Sequence, residues 1–244
     1  MPVTFRDRAV ILRTHPIGEA DRVLTLVTIA HGQVRAVAKG VRRTTSSFGA
    51  RLEALNVIDF QAHRGRSLDT LTQVETIAPL GIALAASYDH YTAASVMAET
   101  ALRLTADDPD TSGHYRLLYG ALAALRRRVA DPRLVLASYL LRALGCSGWA
   151  PALASCAGCG RGDALDFFSF SAGGSLCAGC ARLGATRVGD AVTGLLADAA
   201  SGRWEHVRSA EETTVSRAAQ LASAYTQFQL EQRLKSVPVW ERGA

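Results

Sequence analysis

Between residues 5 and 76 the apolar positions recur at every second residue. Val34, Ala36 and Ala38 alternate with Arg35, Val37 and Lys39, and Ile58, Phe60 and Ala62 alternate with Val57, Asp59, Gln61 and His63. A period of two with one half-polar face predicts antiparallel strands that are wet on one side. Five such segments stand out, Phe5–Thr14, Asp21–Ile29, Gly32–Lys39, Leu55–His63 and Leu68–Thr76, all rich in Val, Ile, Thr and Leu. Turn chemistry separates several of them: His15-Pro16-Ile17-Gly18, His31-Gly32 and Arg64-Gly65-Arg66-Ser67. So many short strands in so short a stretch predict a small barrel. A five-stranded oligonucleotide-binding (OB) barrel is the first choice and an SH3-like barrel the second. Phe5 and Phe60 are expected in its core.

After Pro79 the period lengthens. Leu84, Tyr88, Tyr91, Ser95, Ala98 and Leu102 keep helical spacing up to the breaker Asp107-Asp108-Pro109-Asp110. Tyr115, Leu118, Leu122, Leu125 and Val129 form a second stripe. Arg126, Arg127 and Arg128 lie in its last turn, where cations suit the helix dipole. Asp131-Pro132 reads as an N-cap followed by proline at the first helical position. The stripe Leu134, Ala137, Leu141 and Leu144 follows, with Gly145 as the expected stop. A last helix is expected over roughly 211–235, carrying Val215, Ala218, Leu221, Ala222, Tyr225 and Phe228, with Pro238 barring continuation. The Tyr and Leu stripes are expected to be core. The change of period divides the chain into a barrel domain, 1–79, and a helical domain, 80–244.

Of 244 residues, 48% are hydrophobic and 20% charged, a composition that folds rather than stays disordered. The longest run without a charged residue, Ala143 to Gly160, contains Pro151 and several glycines and cysteines, so no bilayer helix is expected. The N-terminus is interrupted by Arg6, Asp7 and Arg8, so no signal peptide is expected either, and the expected location is the cytoplasm. The formal charge is +5, and its distribution says more than its size. From Arg22 to Leu52 there is no acid, while Arg22, Arg35, Lys39, Arg42, Arg43 and Arg51 all fall in that stretch. Small hydroxyl-bearing residues, Thr44 to Ser47, lie at its centre with Gly49. Such a backbone approaches phosphate closely, and arginine adds a planar donor fork. Arg35, Lys39, Arg42, Arg43 and Arg51 are the expected phosphate contacts, and Phe48 is the best-placed aromatic for stacking on a base. A merely solvated basic loop is the alternative.

The strongest local signal is Cys156-Ala157-Gly158-Cys159 followed, after a hairpin-length loop, by Cys177-Ala178-Gly179-Cys180. Two such turns supply four thiolates for one tetrahedral Zn²⁺, with no position left open for water or substrate, so the expected zinc is structural, one per chain. The element is expected over about 153–184, with Asp166 to Phe170 as a strand leading into the Ser171-to-Ser175 turn. Disulfides do not suit a cytosolic chain. A redox pair or an iron–sulfur cluster suits the spacing less well than zinc. Cys146 stands apart and is expected to be a buried thiol. No phosphate-binding G-x-x-x-x-G-K-[ST], G-x-S-x-G, H-E-x-x-H or deaminase pattern is present, and the six histidines form no spaced cluster, so no enzyme is expected.

Taken in order, four features resemble the bacterial DNA-repair family RecO across almost the whole chain. They are Gly18-Glu19-Ala20-Asp21-Arg22 with the following strand and His31-Gly32; Ala38-Lys39-Gly40-Val41-Arg42-Arg43 with Ser46, Ser47, Phe48 and Gly49; the knuckles with Gly173-Gly174-Ser175-Leu176-Cys177; and Leu234-Lys235-Ser236. Where many relatives carry a lysine before the serine of the basic loop, this chain has Thr44-Thr45-Ser46. The resemblance implies an α+β chain: an N-terminal five-stranded OB barrel, then an α-helical domain with an inserted four-cysteine zinc element. It implies a recombination mediator that binds single- and double-stranded DNA and anneals complementary strands. It also implies work with RecR to help load RecA onto DNA coated by single-strand-binding protein, whose C-terminal tail would dock on the helical domain, and a nucleoid-associated place in the cytoplasm. The competing reading is a zinc-ribbon DNA-binding regulator or transcription-associated module. Against it, residues 156–180 hold one arginine, Arg161, beside Asp163 and Asp166.

Overall fold

The alternating segments fold as strands close to where the pattern puts them. The computed structural model describes residues 3–42, 49–182 and 184–243, and divides into two compact units, Met1–Arg126 and Arg127–Ala244. In the first unit β1 (Thr4–Ile17), β2 (Asp21–Thr28), β3 (Gln33–Ala38), β4 (Val57–His63) and β5 (Asp69–Ala78) close a barrel in the order β1-β2-β3-β5-β4. The neighbours are antiparallel except at the closing seam. There β3 and β5 run parallel and pair only Ala36 with Asp69 and Val37 with Thr70. The inward set, including Ala9, Ile11, Leu24, Leu26, Val34, Ala36, Ile58, Phe60, Leu71 and Val74, fills the barrel, and Phe5 packs half-buried against it. Arg35 and Gln33 take the opposite face of β3. Irregularities at Ile11/Arg13 and Gln61/Ala62 bend β1, β4 and β5 enough to close so small a barrel.

Three helices complete this unit: α1 (Leu80–Ala85), α2 (Tyr88–Leu104) and α3 (Ser112–Arg127). They pack on the barrel rather than away from it. The Gly81 N–H donates to Asn56 Oδ1 at 3.0 Å, the Thr111 hydroxyl donates to the Thr28 carbonyl at 2.7 Å, and Gln33 donates to the Leu102 carbonyl at 3.1 Å. The expected single stripe from Leu84 to Leu102 is corrected here. Ser87 separates two helices, and Tyr88 and Tyr91 are exposed, not core. The buried face of α2 is made of Ala98 from the expected stripe with Thr92, Ala93, Ala94, Val96, Met97, Thr100 and Ala101. The Ala and Thr residues among them allow a close approach to β1 and β2, which α2 contacts.

The second unit contains α4 (Pro132–Cys146), a three-stranded sheet of β6 (Phe167–Ser169), β7 (Gly174–Leu176) and β8 (Thr186–Arg187) in the order β7-β6-β8, and then α5 (Asp190–Ser201), α6 (Trp204–Val207), α7 (Glu212–Gln229) and α8 (Val237–Trp240). Asp131 caps α4, its carboxylate accepting from the Arg133 N–H at 2.8 Å, with Pro132 in the first turn. Gly145 does not end the helix, which runs on to Cys146 and is capped at Ser147. α4 is the central helix: nearly every side chain from Leu134 to Leu144 is buried, because α5 and α7 both pack on it. The last long helix ends at Gln229, short of the expected 235, and Pro238 sits inside α8 instead of stopping a helix. Phe228, expected in the core stripe of α7, is exposed. Cys146 is also exposed, as the last helical residue of α4, and not the buried thiol expected.

Candidate nucleic-acid interface and metal centre

The basic stretch leaves β3 at Ala38 and is held at its base by the turn between β1 and β2. Asp21 Oδ1 accepts from the Gly40 N–H at 2.7 Å, and the Ala20 carbonyl accepts from the Arg42 N–H at 2.9 Å. Gly40 adopts φ +65°, a left-handed conformation natural to glycine, so the chain can turn sharply there. The anchor is therefore the Gly18–Asp21 turn, whose role the charge pattern alone did not reveal. Arg35, Lys39, Arg42 and Arg51 are all exposed, and among the described residues none of them forms an ion pair. Arg42 reaches back toward the Gly18 carbonyl at 3.4 Å. Arg51 closes the short 3₁₀ turn Gly49–Leu52, and its carbonyl accepts from Asn56 Nδ2 at 3.3 Å. Arg43 and Phe48 lie outside the described residues. The remaining cation of the acid-free run, Arg22, pairs with Glu53 at 2.7 Å, the first acid after the run ends. The exposed, unpaired charge of the stretch is thus narrower than its sequence count.

The four knuckle cysteines come together. Their sulfur atoms all lie within 4.8 Å of one another, and Cys177 Sγ is 3.8 Å from both Cys156 Sγ and Cys159 Sγ. Four sulfurs about 2.3 Å from a common centre would stand roughly 3.8 Å apart at tetrahedral angles, so the donor set fits a tetrathiolate metal. Backbone bonds build each knuckle. The Cys156 N–H donates to the Arg161 carbonyl at 2.7 Å and Gly160 to the Cys156 carbonyl at 2.8 Å; Cys180 and Ala181 both donate to the Cys177 carbonyl at 3.0 Å. A Cβ on Gly158 would sit 3.0 Å from Cys180 Sγ, which explains the small residue inside the first knuckle. The Cys177 N–H, with those of Cys159 and Gly158, holds the Cys156 thiol down to about 6, whereas the crowd of neighbouring thiols, Cys159 first, pushes Cys180 up to about 12. Four sulfurs this close share too few positive charges to ionise together, and a cation bound among them would supply the charge.

Leu165 and Leu176 pack beside Cys156 and Cys177. On the other side, Phe168 and Phe170 stack edge-on against Tyr225 of α7, at 5.4 and 5.8 Å between ring centres. Gly174 adopts φ +156° where β7 meets Ala152, and a Cβ there would lie 2.3 Å from the Ala152 carbonyl oxygen. The strand β8, which the spacing did not foretell, brings exposed Arg187 onto this sheet.

A closed OB barrel with solvent-facing cations beside its third strand defines a DNA-binding barrel protein, here joined to a helical unit with a four-cysteine cluster able to hold a metal. The family model for the recombination protein O N-terminal domain matches residues 1–80, and that for its C-terminal domain matches residues 85–238. The chain therefore belongs to the RecO family, DNA-binding recombination mediators of DNA repair. No described helix is long and apolar enough to cross a membrane.

Proposed function

We propose that this chain binds single- and double-stranded DNA through the barrel cations and anneals complementary strands, and that with RecR it helps load RecA onto DNA coated by single-strand-binding protein in the nucleoid. The observation that carries this reading is the set of exposed cations Arg35, Lys39, Arg42 and Arg51, without ion pairs among the described residues, along and beyond β3 of an OB barrel. Arg43 and Phe48 would belong to the same surface. Annealing requires no bond chemistry. It requires two polyanions held close with their charge screened, and held weakly enough for base pairing to displace the protein. The metal is proposed to be one Zn²⁺ on Cys156, Cys159, Cys177 and Cys180. With every position taken by sulfur it has a structural role, and no hydrolytic activity is expected. Hydrolysis of an oligonucleotide by purified protein that a single substitution in this chain abolishes would refute that last point.

The helical unit has a groove of about 520 Å³ bounded by Phe228, Leu234, Val237 and Pro238. Its rim carries Glu231 and Glu241 against Arg233, a charge balance that does not draw the acidic tail of single-strand-binding protein, and the tail's seat is not assigned to it. The proposal that the tail docks on the helical unit is tested by deleting the tail: unchanged affinity removes it.

The test of the DNA surface is salt dependence. Five phosphate contacts from Arg35, Lys39, Arg42, Arg43 and Arg51, at ~0.7 each on single strands, give a log–log slope of roughly −3 to −4. Replacing Lys39, Arg42 and Arg43 together by Ala should reduce its magnitude by about 2 and weaken binding to all sequences alike. An unchanged slope with unchanged annealing would move the DNA site off this stretch.

A further inference from the structure

We infer that the four-cysteine element is a peroxide-sensitive thiol site: Cys159 is the sulfur that an oxidant meets first, Cys177 closes a disulfide with it, and the element then gives up its metal and opens. This inference rests on the reading of the cluster as a structural zinc site, and adds a chemistry of its sulfurs that holding a metal does not require.

The four sulfurs are alike as ligands but not in their surroundings. Cys156 and Cys177 are 2% and 3% exposed and pack with Leu165 and Leu176. Cys156 Sγ also accepts from the Cys177 N–H at 3.4 Å, a bond that draws charge from the sulfur. Cys180 is half-buried over Gly158, where a Cβ would meet its sulfur at 3.0 Å. Cys159 is exposed, in a run, 157–164, of which every residue is exposed. The chain turns away just after it, at Gly160 with φ +78°, and among the described residues nothing lies within 4 Å of where a Cβ of Gly160 would stand. A bound metal keeps all four sulfurs as thiolates. Oxidation follows thiolate character and access together, so access selects Cys159.

The resolving sulfur is close. Cys159 Sγ lies 3.8 Å from Cys177 Sγ, so a disulfide of about 2.05 Å needs an approach of roughly 1.8 Å. The knuckle residues between the cysteines, Ala157, Gly158, Ala178 and Gly179, are small enough for that movement. The Cys159 sulfur attacks one peroxide oxygen: an S–O bond forms, the O–O bond breaks and hydroxide leaves. The Cys177 sulfur then attacks the Cys159 sulfur: the S–S bond forms, the S–O bond breaks and a second hydroxide leaves. Two thiolates give up two electrons, and one peroxide takes them with two protons from solvent and becomes two waters. Cys156 and Cys180 remain as two donors where a closed zinc site has four. Drawing Cys177 toward the surface also pulls on β7, which ends at Leu176.

The experiment uses the full chain in a Cys146→Ser background, which removes the cysteine outside the cluster. Hydrogen peroxide is added to the protein as purified. Released metal is read with a chromophoric zinc indicator, and the disulfide by tryptic mapping without reduction. The digest is diagnostic, because Cys156 and Cys159 fall in the peptide 143–161 and Cys177 and Cys180 in 162–182. The expected result is metal release with a cross-link between the two peptides that fragmentation assigns to Cys159 and Cys177, both reversed by dithiothreitol and added zinc. Cys159→His keeps a zinc ligand without the oxidisable sulfur, so its release should be about tenfold slower, whereas Cys180→His should release near the parental rate. Release from Cys159→His at the parental rate, or disulfides confined within each peptide, overturns the inference and leaves the zinc site standing. Metal that stays bound through peroxide treatment does the same. A parent that purifies without metal in the absence of chelator overturns both. If Cys159→His itself purifies without zinc, the cross-link in the parent decides alone.

Discussion

Removing the metal should unfold the cysteine element and leave the helices around α4 standing. The apolar support on the sulfur side is small: Leu165 and Leu176 are the two buried leucines that pack with Cys156 and Cys177. At ~1.5–3 kcal/mol each they contribute roughly 3–6 kcal/mol, against about 10–16 kcal/mol for a structural zinc bound by thiolates. A bound zinc would therefore stabilise the element more than its leucines do. The helices keep a core of their own in Leu134, Leu136, Tyr139, Leu140, Leu144, Leu196 and Ala218, none of which belongs to the cluster around the four knuckle cysteines. The perturbation is Cys177→Ser, or a strong chelator on the parent protein. The assay is limited trypsin digestion followed by mass mapping, since Arg161, Arg182 and Arg187 are exposed cleavage sites inside the element. Losing even about 3 kcal/mol of local stability raises the open population roughly 150-fold, at tenfold per 1.4 kcal/mol. Cleavage at those three arginines should accelerate by at least that factor, while the helical far-ultraviolet signal stays near its parental value. Cleavage rates that do not change after complete loss of metal would show that the knuckles are held by the fold and not by the ion.

Three further outcomes follow from single sites. Gly174→Ala should destabilise the second unit by about 1–3 kcal/mol in urea melts, because its Cβ meets the Ala152 carbonyl at 2.3 Å; unchanged stability would mean that β7 and Ala152 can part freely. Tyr139→Phe should be neutral or stabilising by up to ~1 kcal/mol, because the Tyr139 hydroxyl is buried with no hydrogen-bond partner among the described residues; a loss above that would reveal a bound water or partner. Asp7 is pulled upward by burial, but hydrogen bonds from His31, the Ala30 and Arg8 N–H groups and Thr28 outweigh this and hold its carboxyl below the ordinary 3.8. A depressed carboxyl contributes stability that is complete above 3.8 and lost as pH falls through its lower folded value, so the gap between parent and Asp7→Asn in urea melts should narrow below pH 4, and a gap independent of pH would refute the assignment.

The barrel was legible because its strands have one dry and one wet face, so that Ile58, Phe60 and Ala62 announce themselves against Asp59 and Gln61. The α2 face was not, because its buried side is mostly Ala and Thr, with only Val96 and Met97 larger, while its large tyrosines face outward; the eye follows size, and packing followed closeness of approach. α5 was not anticipated although Val192, Leu195, Leu196 and Ala199 have helical spacing; Gly189 and Gly194 weaken the helical pattern there. The cysteine cluster was fully legible from spacing, because two C-x-x-C turns have few other uses. β8 was not, since a two-residue strand has no period to detect. At the proposed DNA surface the acid-free run marked β3 and the stretch that leaves it. It could not show that Glu53 neutralises Arg22, because that pair depends on how the chain folds back on itself.

The parallel seam has a mechanical consequence. Four edges of the barrel are zipped by six or more residue pairs, and the fifth, between β3 and β5, by two. A cylinder so made splits along its shortest stitch, so amide hydrogens at Val37 and Thr70 should exchange ahead of those between β1 and β2. A polyanion lying over Arg35, on one lip of that slit, would load the seam, and the exchange rate there would then report occupancy from inside the wall of the barrel.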